Sequence, residues 1–190
     1  MDAHRHSVIL LTGQPGIGKT TVIRQIAERL GDRAGGFYTQ EMRANGVRRG
    51  FEIITLDGAS DYLALRSNRP IFSREIPFKS YRVNLVGIED LAVAALRKAR
   101  DRDKLIIVDE IGPMEITSPL FCRVIRELLE DESTCLIGTI VRRPYRFADE
   151  VKRHPRVKVQ EITVANRNPI AQTILDRLEE TNCYSSGGDR

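Results

Sequence analysis

The 190-residue sequence has no apolar run long enough to cross a bilayer as a helix. Its first residues, MDAHRHS, lack the apolar core of a signal peptide. No membrane partner is expected. Cysteine is scarce: Cys122, Cys135 and Cys183 are odd in number, widely spaced and without a CxxC pair. That argues against a disulfide framework, and the three read as reduced thiols, mostly core filler, in a cytoplasmic protein. His4, His6 and His154 have no metal-ligand spacing and read as surface residues. Internal repeats are absent, and only the tail TNCYSSGGDR has the polar Gly/Ser look of a disordered end, over residues 181–190. A strong charge is also missing. Thirty Lys and Arg against 26 Asp and Glu leave +4, which suits an anionic small ligand but does not by itself support a nucleic-acid partner. Oligomeric state is left open.

What is present is an ordinary globular composition, 41% hydrophobic and 29% charged, enough for one cored domain over residues 1–180. Ser7 to Thr12 is a nearly all-apolar strand, and Val22, Ile23, Ile26, Ala27 and Leu30 then recur at helical spacing up to Gly31. Residues 35–84 read as an antiparallel β insertion, because GFYTQEMRA and VRRGFEIITL flank Asn45-Gly46, a strong hairpin signal. YLALR and SYRVN are further short strands. From Gly87 the chain alternates helix (Ile88 to Ala99), strand (104–108), a helix opened by Ser118-Pro119, the strands TCLIGTIV and VKVQEIT, and a closing helix over 169–178. Apolar strands alternating with amphipathic helices predict an α/β fold, a mostly parallel sheet covered by helices on both faces.

GQPGIGKT, residues 13–20, followed by Thr21, matches the P-loop pattern between an apolar strand and an amphipathic helix. Gly13, Gly16 and Gly18 let the backbone N–H groups of the Gly13-Gln14-Pro15-Gly16-Ile17-Gly18 run wrap phosphate oxygens, and the helix N-terminus adds its dipole. Lys19 sets a cation on the β and γ phosphates, and the Thr20 hydroxyl can ligate Mg²⁺. Downstream, LIIVDEIGPME carries two acids after four apolar residues. A P-loop protein needs an Asp at a second strand end to hold Mg²⁺, and Asp109 fits. Glu110, one step on, faces the other way and can orient or deprotonate an attacking water. Glu115 is as readily a salt-bridge partner as anything chemical. Thr139 is either a γ-phosphate sensor or simply a β-branched strand residue.

Arg43, Arg48, Arg49, Arg142, Arg143 and Arg146 are candidates for meeting charge on the γ-phosphate, with the 142–146 set favoured because it follows a strand end. Asn166 and Arg167, at the last strand-to-helix junction, can bind and stack on a base, although Asn166 serves equally as a helix cap.

Together, GQPGIGKTT (13–21), GFYTQEMRANGVRRGFEIITLDG (36–58), DEIGPME (109–115) and the late Asn166-Arg167 pair resemble the small P-loop nucleoside-triphosphatases first described from thermophiles, with a cancer-related nucleoside-triphosphatase in animals. The resemblance spans residues 7–178 and implies the P-loop NTPase fold. It further implies Mg²⁺-dependent hydrolysis of nucleoside triphosphates such as ATP and GTP, with weak base selectivity. Residues 13–21 would bind phosphate, Thr20 and Asp109 would handle the metal, and Glu110 would activate water. Pro113 departs from the family, which usually has Lys there. The alternatives are a P-loop kinase, whose lid would be the basic stretch 142–153, and a nucleotide-gated module acting through the insertion on RNA, DNA or protein.

Overall fold

A strand with no polar alternation must be covered on both faces. The computed structural model, which describes residues 8–180 and 183, covers three such strands. In chain order the strands are β1 (Val8–Thr12), β2 (Ala34–Ala44), β3 (Val47–Thr55), β4 (Ser60–Arg66), β5 (Glu75–Phe78), β6 (Tyr81–Asn84), β7 (Leu105–Ile111), β8 (Leu136–Ile140) and β9 (Val157–Glu161). They form one sheet in the order β5-β6-β4-β3-β2-β7-β8-β1-β9. Successive residues of β1 and β7 feed opposite cores. Val8, Leu10, Ile106 and Val108 pack with α3 (Pro119–Glu130) on one face. Ile9, Leu11, Leu105 and Ile107 pack with α1 (Lys19–Leu30) and α5 (Ile170–Glu180) on the other. Burying each such side chain contributes about 1.5–3 kcal/mol, which is why this stretch of sequence is committed to the sheet centre.

β2 is where the sheet changes character. It runs parallel to β7 through Ala34 to Phe37 and antiparallel to β3 through most of its length. Gly36, at φ +116°, has no room for a side chain, because a β-carbon would stand 2.1 Å from the Ile107 carbonyl oxygen. The β2–β3 turn is the expected one, with Asn45 and Gly46 both at positive φ. The α/β sheet with helices on both faces is therefore the observed architecture, and the antiparallel strands extend it rather than stacking on it. Ser118 caps α3 by accepting from the Phe121 N–H at 3.2 Å.

Four departures stand out, the first three with causes in the packing. β7 continues through both acids to Ile111 rather than ending at 108, since Asp109 and Ile111 are buried among neighbouring strands. β5 was not anticipated: EIPF is four residues long with a proline, tolerable on an edge strand. The basic stretch 142–153 contains α4 (Arg146–Lys152), anchored by buried Phe147, Ala148 and Val151. The helix from Gly87 starts as a π-helical segment, Gly87–Val93, before α2 (Ala94–Arg100).

The cysteines correct the reading of three reduced thiols. Cys135, just before β8, and Cys183, just past α5, form a disulfide with Cα atoms 5.5 Å apart, while Cys122 is free. A separation of 48 residues with no motif hides the pair from sequence, and packing of α5 on the β1–α1 layer creates it. The argument from reduced thiols to a cytoplasmic location therefore lapses. Ser7, His4, His6 and the expected tail, Cys183 excepted, lie outside the described residues. Among the described residues no helix is long and apolar enough to cross a membrane.

Candidate active site

Parallel strands bring their carboxyl ends to one edge, where α/β folds bind ligands. The loops after β1, β7, β8 and β9 meet there. Gly13 through Gly18 join β1 to α1, with Gln14, Pro15 and Gly16 exposed at the tip and Ile17 packed on the core beneath. Gly16 (φ +80°) and Gly18 (φ +110°) adopt a conformation that L side chains resist, and a β-carbon at either would project into open space. Gly18 stands at the N-cap of α1 with no side-chain cap, so the first amides of the helix are not taken by the protein. Gly13 is tight for a different reason: a β-carbon would lie 2.8 Å from the Ile162 carbonyl oxygen, so the loop after β9 rests against it. Thr21 is exposed on the first turn of α1.

Lys19 bends back over the loop, its Nζ 3.5 Å from the Gly13 carbonyl, and its charge reaches both Asp109 and Glu110. Asp109 is 1% exposed. Burial pushes its carboxyl up from the ordinary value, opposed by the Thr139 and Thr20 hydroxyls and by the Lys19 charge. Thr139 Oγ1, itself fully buried, donates to Asp109 Oδ1 at 2.5 Å. Asp109 Oδ2 is buried without a hydrogen-bond partner among the described residues. A buried, unpartnered carboxylate oxygen beside the Thr20 hydroxyl fits a hard cation such as Mg²⁺. The described residues hold no group of three acidic, His or Cys side chains able to cage a metal. Any Mg²⁺ here would complete its shell with phosphate and water oxygens.

Glu110, joined to Asp109 by a cis peptide bond, is half-buried. Burial raises its carboxyl, Lys19 pulls it back down and Asp109 adds to the rise. Glu115 makes no ion pair among the described residues, so the salt-bridge expectation is not met. It is 4% exposed in a short 3₁₀ turn, Glu115–Thr117, and burial followed by the nearby charge of Glu110 pushes it up to about 8. Pro113 lies half-buried on the connecting turn.

The arginines sort themselves. Arg43 and Arg48 clamp Glu41 at 2.5 and 2.6 Å, and Arg142 pairs with Glu161 at 3.6 Å. Arg49, Arg143 and Arg146 are exposed. Of these, Arg143 is in the β8–α4 loop at the ligand edge, and Arg146 opens α4. Asn166 is not a side-chain cap of α5. Its Oδ1 accepts from the Thr163 N–H at 2.8 Å and its Nδ2 donates to the Glu161 carbonyl at 2.9 Å, holding the loop after β9, with Arg167 exposed beside it. His154 faces Glu130 at 3.6 Å, away from any metal cluster. A separate cavity of about 340 Å³ lies between α1, β2 and α2, lined by Arg24, Tyr38, Lys98 and Lys104 among others. None of the P-loop or β7 acids reaches it, so the chemistry belongs at the strand ends.

Sequence reasoning missed two things here. Thr139 spends its hydroxyl on Asp109, and Glu115 comes within reach of the Glu110 charge over Gly112; the signal in each case was a lone polar residue in an apolar setting.

A family model described as NTPase matches residues 8–175. The chain is 40% identical over 173 residues to nucleoside-triphosphatase THEP1 of Thermotoga sp. strain RQ2, covering 90% of this chain and 95% of that protein. It is 36% identical over 184 residues to the human cancer-related nucleoside-triphosphatase, covering 91% and 97%. The crystal structure of THEP1 from the hyperthermophile Aquifex aeolicus aligns with a TM-score of 0.80 at 38% identity, over 90% of this chain and 99% of that one. P-loop, paired acids and a shared fold along nearly the whole length agree: the chain belongs to the NTPase family.

Proposed function

We propose that the protein hydrolyses nucleoside 5′-triphosphates, ATP and GTP among them, to nucleoside diphosphate and phosphate in a Mg²⁺-dependent reaction. The observation that carries this reading is the convergence of Lys19, Asp109 and Glu110 at the mouth of the P-loop. The amides of residues 13–18 and the uncapped start of α1 offer donors to the phosphates. Lys19 holds the β and γ phosphates. Thr20 and Asp109 would hold Mg²⁺, which when bound neutralises charge on the phosphate oxygens. Glu110 accepts a proton from water as the water oxygen bonds the γ-phosphorus and the β–γ bridging P–O bond breaks.

The relatives are named as triphosphatases, which supports water rather than a second substrate as acceptor, and the kinase alternative is set aside. Asn166 is occupied in its own loop, so exposed Arg167 offers a flat cation to any base, in keeping with broad base tolerance. Nucleoside triphosphates as substrates fit a cytoplasmic location.

Phosphate release from purified protein, Mg²⁺ and nucleoside triphosphate, without an acceptor, tests the reading. Glu110→Gln should lower turnover roughly 10²–10⁴-fold while nucleotide still binds. Turnover that appears only on adding an acceptor would restore the kinase reading.

A further inference from the structure

Glu115 is the buried acid that the scheme above leaves unused. Its carboxyl has no cation to pair with among the described residues, yet the protein keeps it at 4% exposure. Burying an acid costs free energy unless its surroundings satisfy it or it is neutral. The backbone N–H groups of Gly112 and of Glu115 itself lie close enough to its carboxyl to favour its charge, but burial outweighs them and pushes the group up to about 8.

Its neighbour is informative. A β-carbon built on Gly112 would stand 2.7 Å from Glu115 Oε2 and 3.2 and 3.3 Å from Glu110 Cγ and Cδ. Both side chains therefore border the same spot over the Gly112 backbone, which a glycine leaves open. The turn that brings Glu115 back is closed by Ile116 N–H to the Gly112 carbonyl at 3.1 Å, and by Thr117 Oγ1 donating to the Met114 carbonyl at 2.6 Å. Glu110 itself makes no hydrogen bond or ion pair with another described side chain. Half-buried and raised like Asp109 beside it, it depends on packing for its orientation.

We propose that Glu115 is a positioning residue for hydrolysis: its buried carboxyl, lodged against Glu110 over Gly112, fixes the rotamer in which Glu110 meets the attacking water. The inference rests on the reading of Glu110 as the group that takes the water's proton. A side chain of this length beside Glu110 closes off other rotamers that Glu110 could adopt, which a shorter one would not.

A double-mutant cycle on the full chain tests it. Glu115→Ala should lower kcat roughly 10–100-fold, the usual consequence of losing orientation at a reacting centre, with KM for the triphosphate unchanged. Glu115→Gln, which keeps the shape and a neutral donor, should restore most of kcat. In the Glu110→Gln background, Glu115→Ala should cause no further loss, because a residue acting through Glu110 has nothing left to act on. Additive losses would overturn the proposal and leave Glu115 a fold-stabilising acid only. So would a loss in KM alone, or a Gln variant as slow as Ala. If Glu110→Gln by itself leaves turnover unchanged, the reading of Glu110 fails, which is a separate outcome. Should Glu115→Ala not fold, Glu115→Met, which keeps the buried volume and removes the carboxyl, replaces it in the cycle. The same non-additivity is expected, and additivity would again refute the proposal.

Discussion

Thr139 offers the sharpest test of how the strand end works. It is fully buried in β8, and its hydroxyl donates at 2.5 Å to Asp109 Oδ1, leaving Oδ2 of the same carboxyl without a hydrogen-bond partner among the described residues. Thr139→Val keeps the shape and removes that one donor. A hydrogen bond to a charged group is worth about 1.5–3 kcal/mol net, and losing an outer-shell partner of a metal ligand typically costs 10–100-fold in metal affinity. The Mg²⁺ concentration giving half-maximal phosphate release should therefore rise roughly 10–100-fold. At saturating Mg²⁺, kcat should return close to that of the unaltered protein. The metal-free protein should lose less, because Asp109, already raised by burial, can take a proton in place of the missing donor. Metal titrations of phosphate release, with thermal melts in the absence of metal, measure both quantities. An unchanged Mg²⁺ dependence refutes the reasoning. A collapse of kcat that saturating Mg²⁺ does not repair would return Thr139 to the role of a γ-phosphate sensor.

Three further outcomes are expected. Glu115, raised from 4.5 to about 8, binds its proton more tightly in the folded state, so its contribution to metal-free stability is present in full below about pH 4.5 and is lost as pH rises through about 8. The ceiling is ~5 kcal/mol, and Glu115→Gln should flatten the fall in Tm between these values, Asp109 and Glu110 adding the same sign in both proteins; equal slopes would reject it. Gly16→Ala and Gly58→Ala both place a side chain at positive φ in open space (φ +80° and +91°), so each should lose about 1–2 kcal/mol of stability. Only Gly16→Ala should weaken nucleotide binding, as read by isothermal titration. Arg156→Met removes a guanidinium that donates to the carbonyls of Leu128 and, at 2.8 Å, Leu129 in the last turn of α3, and to those of Asp131 and Thr134 just beyond it. The loss should be roughly 3 kcal/mol, a Tm fall of about 10 °C by calorimetry, with kcat per folded molecule unchanged.

The sequence made the parallel core readable because burial on both faces leaves no polar alternation in VILLT, LIIV or LIGTI, and the helices between them keep a 3.6-residue period. The P-loop was readable because its glycines answer a local demand, positive φ at Gly16 and Gly18. What stayed hidden was set by long-range packing. The Thr139–Asp109 bond joins residues 30 apart, and the Cys135–Cys183 pair spans 48. Neither has a local pattern to betray it. EIPF became a strand only because β6 offered it an edge, and α4 formed because Phe147, Ala148 and Val151 found a core to fill. Asn166 illustrates the reverse error: its type suggests a cap or a base ligand, while its neighbours use both ends of its amide to close the β9 loop.

The arrangement at the end of β7 also explains why a strand this apolar ends in acid. Asp109, Glu110 and Glu115 share one small, mostly dry volume in which Lys19 is the cation acting on the first two. In the free protein burial pushes each of the three toward its neutral form. On the proposed reading, a bound triphosphate and Mg²⁺ would bring positive charge to Asp109 and negative charge to Lys19 and the P-loop amides. That positive charge would favour the ionised form of Asp109. Glu110 lies within reach of the Lys19 charge, and its own charge reaches Glu115. Ligand binding should then release protons and raise Tm by mass action. On the proposed reading the strand end is unfavourable until the substrate arrives, and that poise would tie the proposed base, Glu110, to an occupied P-loop.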